Sequence, residues 1–186
     1  MNEMTYWAAR DHIRNGDIVH VYAPKGWHGF PQTLVHWLIM VTTRSRIFHN
    51  VVAMWMDTPG GAQRLMAVES HIQGGKRIVP MSDYAKYELE VHPLPLDKNF
   101  ADMEPTLMKR VGAQKYGIMD FVNIGLWKLF RIKSKDFGGQ VCSELCAEAW
   151  TAAGVSGLTP PWRVSPADLR AKLIEQGIEP SIRINL

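Results

Sequence analysis

Four stretches of the chain carry apolar residues in runs or at alternate positions, as β-strands do. Turn residues precede the first stretch at Asn15-Gly16 and separate the second from the third at 57–61. The second stretch is apolar almost throughout, which is typical of a central strand, and the turn after it predicts a hairpin with the third. The predicted strands are Asp17–Tyr22, Phe48–Met56, Leu65–Ile72 and Tyr87–Leu94.

Helical spacing and capping signals dominate elsewhere. Ser165-Pro166 before an apolar run and Gly177 after it mark the start and end of a helix, and Pro80–Tyr84 predicts a short helix or turn. The last residues, 178–184, are expected to return as an edge strand. Strands early and helices late predict an α+β fold, a mostly antiparallel sheet with helices packed against it. The other predicted helices are Pro31–Thr43, one after Asn99, Ile118–Arg131 and one from Cys142.

The composition is that of one globular domain, which we assign to residues 1–186. Hydrophobic residues make up 46% and charged residues 21% of the chain, both ordinary values for a folded protein. The net charge is only +3, and the basic residues are scattered. Their densest group is typical of a solvated helix end or of a weak patch for an anionic surface, and we expect no nucleic-acid partner. That group comprises Lys128, Arg131, Lys133 and Lys135.

The cysteines and the N-terminus indicate the compartment. Cys142 and Cys146 lie four residues apart on one predicted helix, which is poor geometry for a disulfide and fits a reducing environment. The first residues lack the basic segment and apolar core of a signal peptide. The longest apolar stretch, Leu34–Val41, is too short to span a bilayer. The expected location is therefore the cytoplasm.

Cys142 stands at the first turn of its predicted helix, on the apolar face. Gly138–Gln140 precede the helix and Gly154 ends it. Unpaired backbone N–H groups and the helix dipole at a first turn favour a thiolate, so this is a typical position for a nucleophile. Cys146, one full turn later, is interpreted as structural. The apolar face carries Leu145, Ala149, Trp150 and Ala153, and the opposite face Ser143, Glu144, Glu148 and Thr151.

A cysteine nucleophile needs a base, usually an imidazole, and the base needs an orienting partner. Of the seven histidines, His49 is the best placed, because it starts a strand whose same-face neighbours Val51 and Ala53 are apolar. Glu69 lies within an apolar strand, where a buried carboxylate without a partner would be costly. Hairpin pairing would bring it near His49. His71 shares the face of Glu69 and is an alternative to either residue.

Two other kinds of site are alternatives to a nucleophile. Cys142 and Cys146 with two histidines would supply four zinc ligands, but structural zinc sites usually present cysteines on a knuckle rather than along a regular helix. Gly60-Gly61 and Gly74-Gly75 have the character of turns, and no phosphate-binding glycine loop precedes a helix. We therefore expect neither a metal nor a cofactor.

Six short motifs follow one another along the chain: Gly16–Val19, His49–Val52, Val68–Ser70, Lys115–Gly117, Cys142–Leu145 and Ser165–Leu169. Their order resembles the circularly permuted branch of the NlpC/p60 papain-like cysteine hydrolases, the YiiX/YebB-like group. The resemblance extends over residues 16–170, most of the chain. The chain departs from the family pattern at Val141, Asn50, Val52 and Gly117, so the resemblance leaves the substrate class open.

The resemblance implies a permuted papain-like fold with the nucleophile at a helix N-terminus. It implies hydrolysis or acyl transfer at an amide or ester bond, with Cys142 as nucleophile, His49 as general base and acid, and Glu69 as the residue that orients the imidazole. The Cys142 backbone N–H is the expected oxyanion donor, and Tyr116 is a candidate for a second donor or a substrate contact. The expected substrates are peptides, cell-wall amides or acyl lipids.

Two alternatives to a hydrolase follow from the same residues. One is a non-catalytic module that binds a peptide or a lipid-like ligand on the same fold and whose Cys142 has ordinary reactivity. The other is a membrane-surface protein that handles acyl chains, indicated by the apolar Leu34–Val41 segment and the loop Trp27–Pro31. The reactivity of Cys142 and binding to liposomes would distinguish the three.

Overall fold

The computed structural model describes residues 2–24, 40–41, 43–71, 75–109, 111–112, 142–158 and 164–185. The strands are β1 (Asn2–Met4), β2 (Ile18–Tyr22), β3 (Ile47–Asp57), β4 (Gln63–His71), β5 (Gly75–Pro80), β6 (Glu88–His92) and β7 (Ile182–Ile184). The α-helices are α1 (Tyr6–Ala9), α2 (Phe100–Met108), α3 (Cys142–Ala152) and α4 (Pro166–Glu175), and 3-10 turns cover Arg10–His12 and Met81–Tyr84. The predicted helices at 31–43 and 118–131 lie largely or wholly outside the described residues.

The described strands form one seven-stranded sheet in the order β1-β7-β6-β2-β3-β4-β5. β1 runs parallel to β7, and every other neighbouring pair is antiparallel. The predicted α+β class with a mostly antiparallel sheet is confirmed. The predicted edge position of the C-terminal strand is wrong, because β7 pairs with β6 on one side and with β1 on the other.

The predicted hairpin is confirmed as β3 and β4, which pair from Asp57↔Gln63 to Val52↔Val68. The strand predicted at 65–72 continues the sheet further than expected, because β4 also pairs with β5, a strand that the sequence pattern did not reveal. Short β5 leads directly into the 3-10 turn Met81–Tyr84. This turn coincides with the short helix or turn predicted at 80–84.

Apolar side chains cover both faces of the sheet, which explains why the central strand β3 is apolar almost throughout. On one face, which we call the helical face, α2, α3 and α4 pack on β2, β3 and β4. Its fully buried side chains include Ile18, Val52, Val68, Met103, Leu107, Leu145, Trp150, Leu169 and Leu173. The opposite face is covered by α1 and the 3-10 turn before β6. Its buried side chains include Tyr6, Ile13, Val19, Val21, Val51, Ala53, Met81 and Leu89.

The turn before β2 fixes α3 against the sheet. Gly16 adopts φ +88°, and its carbonyl accepts a hydrogen bond from the Trp150 indole N–H at 2.7 Å. Asp17 next to it accepts backbone N–H bonds from Arg14 at 2.9 Å and from Leu94 at 3.0 Å. Burial raises the pKa of Asp17, and these two bonds oppose the rise. The Gly-Asp motif therefore joins β2, the segment after β6 and the C-terminal half of α3.

The capping signals read from the sequence are present. Ser165 accepts a hydrogen bond from the Asp168 backbone N–H, and Asp168 accepts one from the Ser165 N–H at 3.0 Å, which together form a capping box at the start of α4. Asn99 accepts a bond from the Ala101 N–H at the start of α2. Gly154 and Gly177 follow α3 and α4 with φ of +85° and +75°.

Candidate active site

Helix α3 begins at Cys142, as the sequence predicted, and the Cys142 side chain is buried with 2% exposure. The expectation that Ser143 and Glu144 face outward is wrong, since both are buried. The segment before α4 lies against this first turn, and the Ser143 hydroxyl donates a hydrogen bond to the Val164 carbonyl. Cys142 is therefore held at a covered helix start, where backbone N–H groups have no partner within the helix.

The strands that carry the other candidate residues separate near this helix start. The β3–β4 register stops at Val52↔Val68. Beyond that point each strand pairs with its outer neighbour, His49 with Val21 of β2 and His71 with Gly75 of β5. We call this opening between residues 49–51 of β3 and 69–71 of β4 the fork. Side chains in the fork meet each other where backbone pairing has ended.

His49 and Glu69 meet in the fork, and Cys142 joins them from α3. The His49 Nε2–H donates to Oε2 of Glu69. The Cys142 sulfur lies close enough to the ring to raise the pKa of His49, and since Nε2 is occupied by Glu69, Nδ1 is the ring nitrogen available to the sulfur. His49 is 6% exposed and Glu69 is fully buried. Three side chains from three separate elements thus form one continuous row.

Two further donors hold the Glu69 carboxylate. Arg77 of β5 lies directly opposite Glu69 in the β4–β5 register, and its Nε donates to Oε1 at 2.8 Å. The Tyr84 hydroxyl, from the 3-10 turn, donates to Oε2. Both Glu69 oxygens therefore have hydrogen-bond partners, which removes most of the free-energy cost of burying the carboxylate.

The charges of the row support one another. Burial would lower the pKa of His49, but the Cys142 sulfur and the Glu69 carboxylate beside the ring raise it to about 10. Burial would raise the pKa of Glu69, but His49, Tyr84 and Arg77 hold it well below the usual carboxyl range. Glu69 is therefore an anion and His49 a cation at neutral pH. The Cys142 sulfur thus lies beside a cationic imidazole that is itself bonded to a buried carboxylate.

The remaining candidate residues lie in different surroundings. His71 is half-buried two residues beyond Glu69, and burial lowers its pKa. The imidazole that contacts both Glu69 and Cys142 belongs to His49, so His49 is the better placed of the two. Cys146 is fully buried in the core of the helical face, where burial and the nearby Cys142 raise the pKa of its thiol. Tyr116 lies outside the described residues.

The sequence patterns did not identify Tyr84 and Arg77 as partners of Glu69. An antiparallel β4–β5 pair places Arg77 opposite Glu69, but the sequence pattern predicts no strand beside 65–72 on that side. Tyr84 had no comparable signal. It reaches Glu69 because β5 and the turn after it return the chain to the opposite face of the sheet, 15 residues later in the sequence.

A second buried carboxylate lies on the helical face. Glu90 of β6 is fully buried and accepts bonds from Arg183 of β7 at 2.8 Å, from His92 at 3.1 Å and from Arg170 of α4. These partners hold the pKa of Glu90 well below the usual carboxyl range despite its burial. Among the described residues, this Glu90 cluster makes no contact with Cys142. It joins β6, β7 and α4 to one another.

Within the described ranges, no group of three or more His, Cys, Asp or Glu side chains is arranged to hold a metal ion. The same residues contain no helix that is long and apolar enough to cross a membrane. Comparisons with protein-family models and with curated proteins gave no match. The resemblance to the NlpC/p60 hydrolases therefore rests on the six sequence motifs alone.

Proposed function

We propose that this protein is a cysteine hydrolase of the permuted papain-like, NlpC/p60 type, which cleaves an amide or ester bond through a thioester on Cys142. The observation that carries the proposal is the row of side-chain contacts from Cys142 through His49 to Glu69. The three residues come from α3, β3 and β4, and all are buried. A thiol, an imidazole and a carboxylate in this order form the arrangement that nucleophilic acyl transfer uses.

Each residue has a defined role in the reaction. The Cys142 thiolate attacks the carbonyl carbon of the substrate, and the tetrahedral intermediate collapses as the amine or alcohol leaves with a proton from His49. A water molecule then attacks the thioester while His49 accepts its proton. Cleavage of the C–S bond releases the carboxylic acid and restores the thiolate and the imidazolium. Glu69 keeps the imidazole oriented throughout. An alcohol or amine in place of water would make the same chemistry an acyl transfer.

The start of α3 also supplies a group for the oxyanion. The Cys142 backbone N–H belongs to the first turn and has no partner within the helix. It lies at the residue whose sulfur would attack, so it is positioned to donate to the oxygen on which negative charge develops. The proposed substrates are peptides, cell-wall amides or acyl lipids. Both cysteines are free thiols, which fits a cytoplasmic location.

An activated ester tests the proposal without knowledge of the natural substrate. We expect p-nitrophenyl acetate to release one equivalent of nitrophenolate rapidly and to leave an acetyl group on Cys142, detected by intact-mass and peptide mass spectrometry. Cys142→Ala should abolish the acetyl adduct. Cys146→Ala, which removes the neighbouring thiol, should keep it. Equal acetylation of the wild type and of Cys142→Ala would contradict the assignment of the nucleophile.

A further inference from the structure

The surroundings of Glu69 contain more than the proposed triad requires. Its two oxygens accept bonds from side chains of three other elements: His49 of β3, Arg77 of β5 and Tyr84 of the 3-10 turn. Because Glu69 is fully buried, bulk solvent does not reach the carboxylate. The rotamer of Glu69, and through it the direction of the His49 ring, depends on these donors.

Tyr84 contacts both members of the His49–Glu69 pair. Its hydroxyl donates to Oε2, the same oxygen that accepts the His49 Nε2–H. Its ring lies beside the His49 ring, with centroids 5.8 Å apart and planes inclined by 30°. One side chain therefore fixes the carboxylate by a hydrogen bond and borders the imidazole by contact.

Arg77 acts on the other oxygen and on the charge of the site. Its Nε donates to Oε1 at 2.8 Å, and its side chain is 40% exposed, so the guanidinium lies between the buried carboxylate and solvent. The Arg77 cation offsets the charge of Glu69 from the solvent side, and His49 offsets it from within the fork. Without Arg77 the buried carboxylate would lose one of these two charged partners.

We propose that Tyr84 and Arg77 are positioning residues, which hold Glu69 in one orientation and keep it an anion, so that His49 is directed at Cys142 and at the thioester formed there. This inference rests on the proposed function, because it gives the two residues a role in the turnover of an acyl-enzyme. It predicts that each acts on the rate of the step that His49 performs as a base, rather than on formation of the thioester.

The electrostatic effect of removing either residue has a definite sign. Loss of the Tyr84 hydroxyl or of the Arg77 charge leaves Glu69 a stronger acceptor, which holds the proton on His49 more firmly. A smaller fraction of His49 is then neutral at pH 7 and able to accept a proton from water. Among the described residues, the titratable and charged groups around this pair are Cys142 of α3, His71 of β4, Arg77 of β5 and Tyr84 of the 3-10 turn.

The experiment follows deacylation of the full-length protein after a pulse of p-nitrophenyl acetate, from pH 5 to pH 10. Tyr84→Phe removes one hydroxyl and keeps the ring, and Arg77→Met removes the charge. We expect both variants to form the acetyl-enzyme but to lose the acetyl group roughly ten-fold more slowly at pH 7. The pH at which deacylation reaches half of its maximum should also rise.

Matched variants separate positioning from a general effect on folding. Tyr87→Phe removes a hydroxyl from the neighbouring tyrosine, whose ring packs near Tyr84 but which is not a donor to Glu69, and should behave as the wild type. Arg77→Lys keeps the charge and should retain most of the wild-type pH dependence. Slower deacylation with an unchanged midpoint pH in both Tyr84→Phe and Arg77→Met would overturn the inference.

A second measurement keeps this inference apart from the proposed function. If the wild type forms no acetyl-enzyme, the proposed function fails, and NMR titration of the His49 ring in ¹⁵N-histidine-labelled protein then decides the role of Tyr84 and Arg77. A His49 midpoint at higher pH in Tyr84→Phe and Arg77→Met than in the wild type would support the positioning role. Identical titration curves would overturn it.

Discussion

His49 and Glu69 are joined side chain to side chain at the point where β3 and β4 no longer pair along their backbones. The hairpin brings the two residues close in space, and the fork leaves room between the strands for the imidazole and the carboxylate. Cys142 then reaches the ring from the start of α3. The separation of two neighbouring strands is thus part of how the sheet accommodates a buried polar row.

The two cysteines should differ sharply in their reaction with iodoacetamide at pH 6. We expect Cys142 to be alkylated and Cys146 to remain unlabelled, because a cationic imidazole lies beside the Cys142 sulfur, whereas burial and the nearby Cys142 raise the pKa of the Cys146 thiol. His49→Ala should slow labelling of Cys142 about a hundred-fold, while His12→Ala, at an exposed position, should leave it unchanged. Peptide mass spectrometry gives both rates. Equal, slow labelling of the two cysteines in the wild type would contradict an ion pair between Cys142 and His49.

The stability of the protein should decrease with pH in a window set by His49. Its pKa is raised from 6.5 to about 10, so the free energy that the imidazolium contributes is fully present below pH 6.5 and is lost as the pH rises through about 10. Urea denaturation of the wild type and of His49→Gln across this range should therefore give converging free energies of unfolding. In Cys142→Ala the loss should begin at lower pH, because the Cys142 sulfur is one of the two groups that raise the pKa of His49. Parallel curves for the wild type and His49→Gln would rule this out.

Glu90 should contribute strongly to stability although it is remote from Cys142. Glu90→Gln removes the negative charge that Arg170, Arg183 and His92 share, and we expect the free energy of unfolding to fall by about 3–5 kcal/mol. Glu88→Gln on the same strand is the control, since Glu88 is only partly buried beside Arg46, and should cost about 1 kcal/mol or less. Urea denaturation measures both. Similar losses in the two variants would refute a special role for Glu90.

Two glycines with similar backbone angles should respond differently to alanine. A Cβ at Gly16 would lie 2.9 Å from Leu94 Cδ2 and 3.1 Å from Met103 Sδ, whereas one at Gly177 would have no heavy atom within 4 Å. Both substitutions pay for a positive φ, about 1–2 kcal/mol. Gly16→Ala should cost a further ~1–3 kcal/mol for repacking. Thermal unfolding of the two variants provides the comparison, and equal melting temperatures would show that the space around Gly16 is not restrictive.

The sequence predicted the parts of the site that depend on local pattern. The first turn of α3, the strand that begins near His49 and the hairpin that carries Glu69 each follow from residues within about ten positions of one another. Cys142, His49 and Glu69 were singled out on those patterns together with their chemistry, and the structure places them in contact. The capping box of Ser165 and Asp168 is equally local.

The parts that the sequence did not predict depend on contacts between distant segments. Tyr84 reaches Glu69 only because β5 and the following turn bring the chain back against the face of the sheet opposite the helical face. Ser143 is buried because it contacts the segment before α4, and the apolar spacing along α3 alone gives no information about that contact. The interior position of β7 depends on its pairing with β1, at the other end of the chain. In each case the deciding partner is remote in sequence, where propensity and spacing give no information.

The last residue pair before the fork helps to set the distance between His49 and Glu69. Val52 and Val68 face each other in the last pair of the β3–β4 ladder, and both are fully buried. His49 lies three residues before Val52 along β3, and Glu69 lies one residue after Val68 along β4. A change in side-chain size at this single pair would alter how widely the strand tips diverge. Substitutions at these two aliphatic positions would therefore change the distance between the His49 imidazole and the Glu69 carboxylate, although neither residue is itself altered.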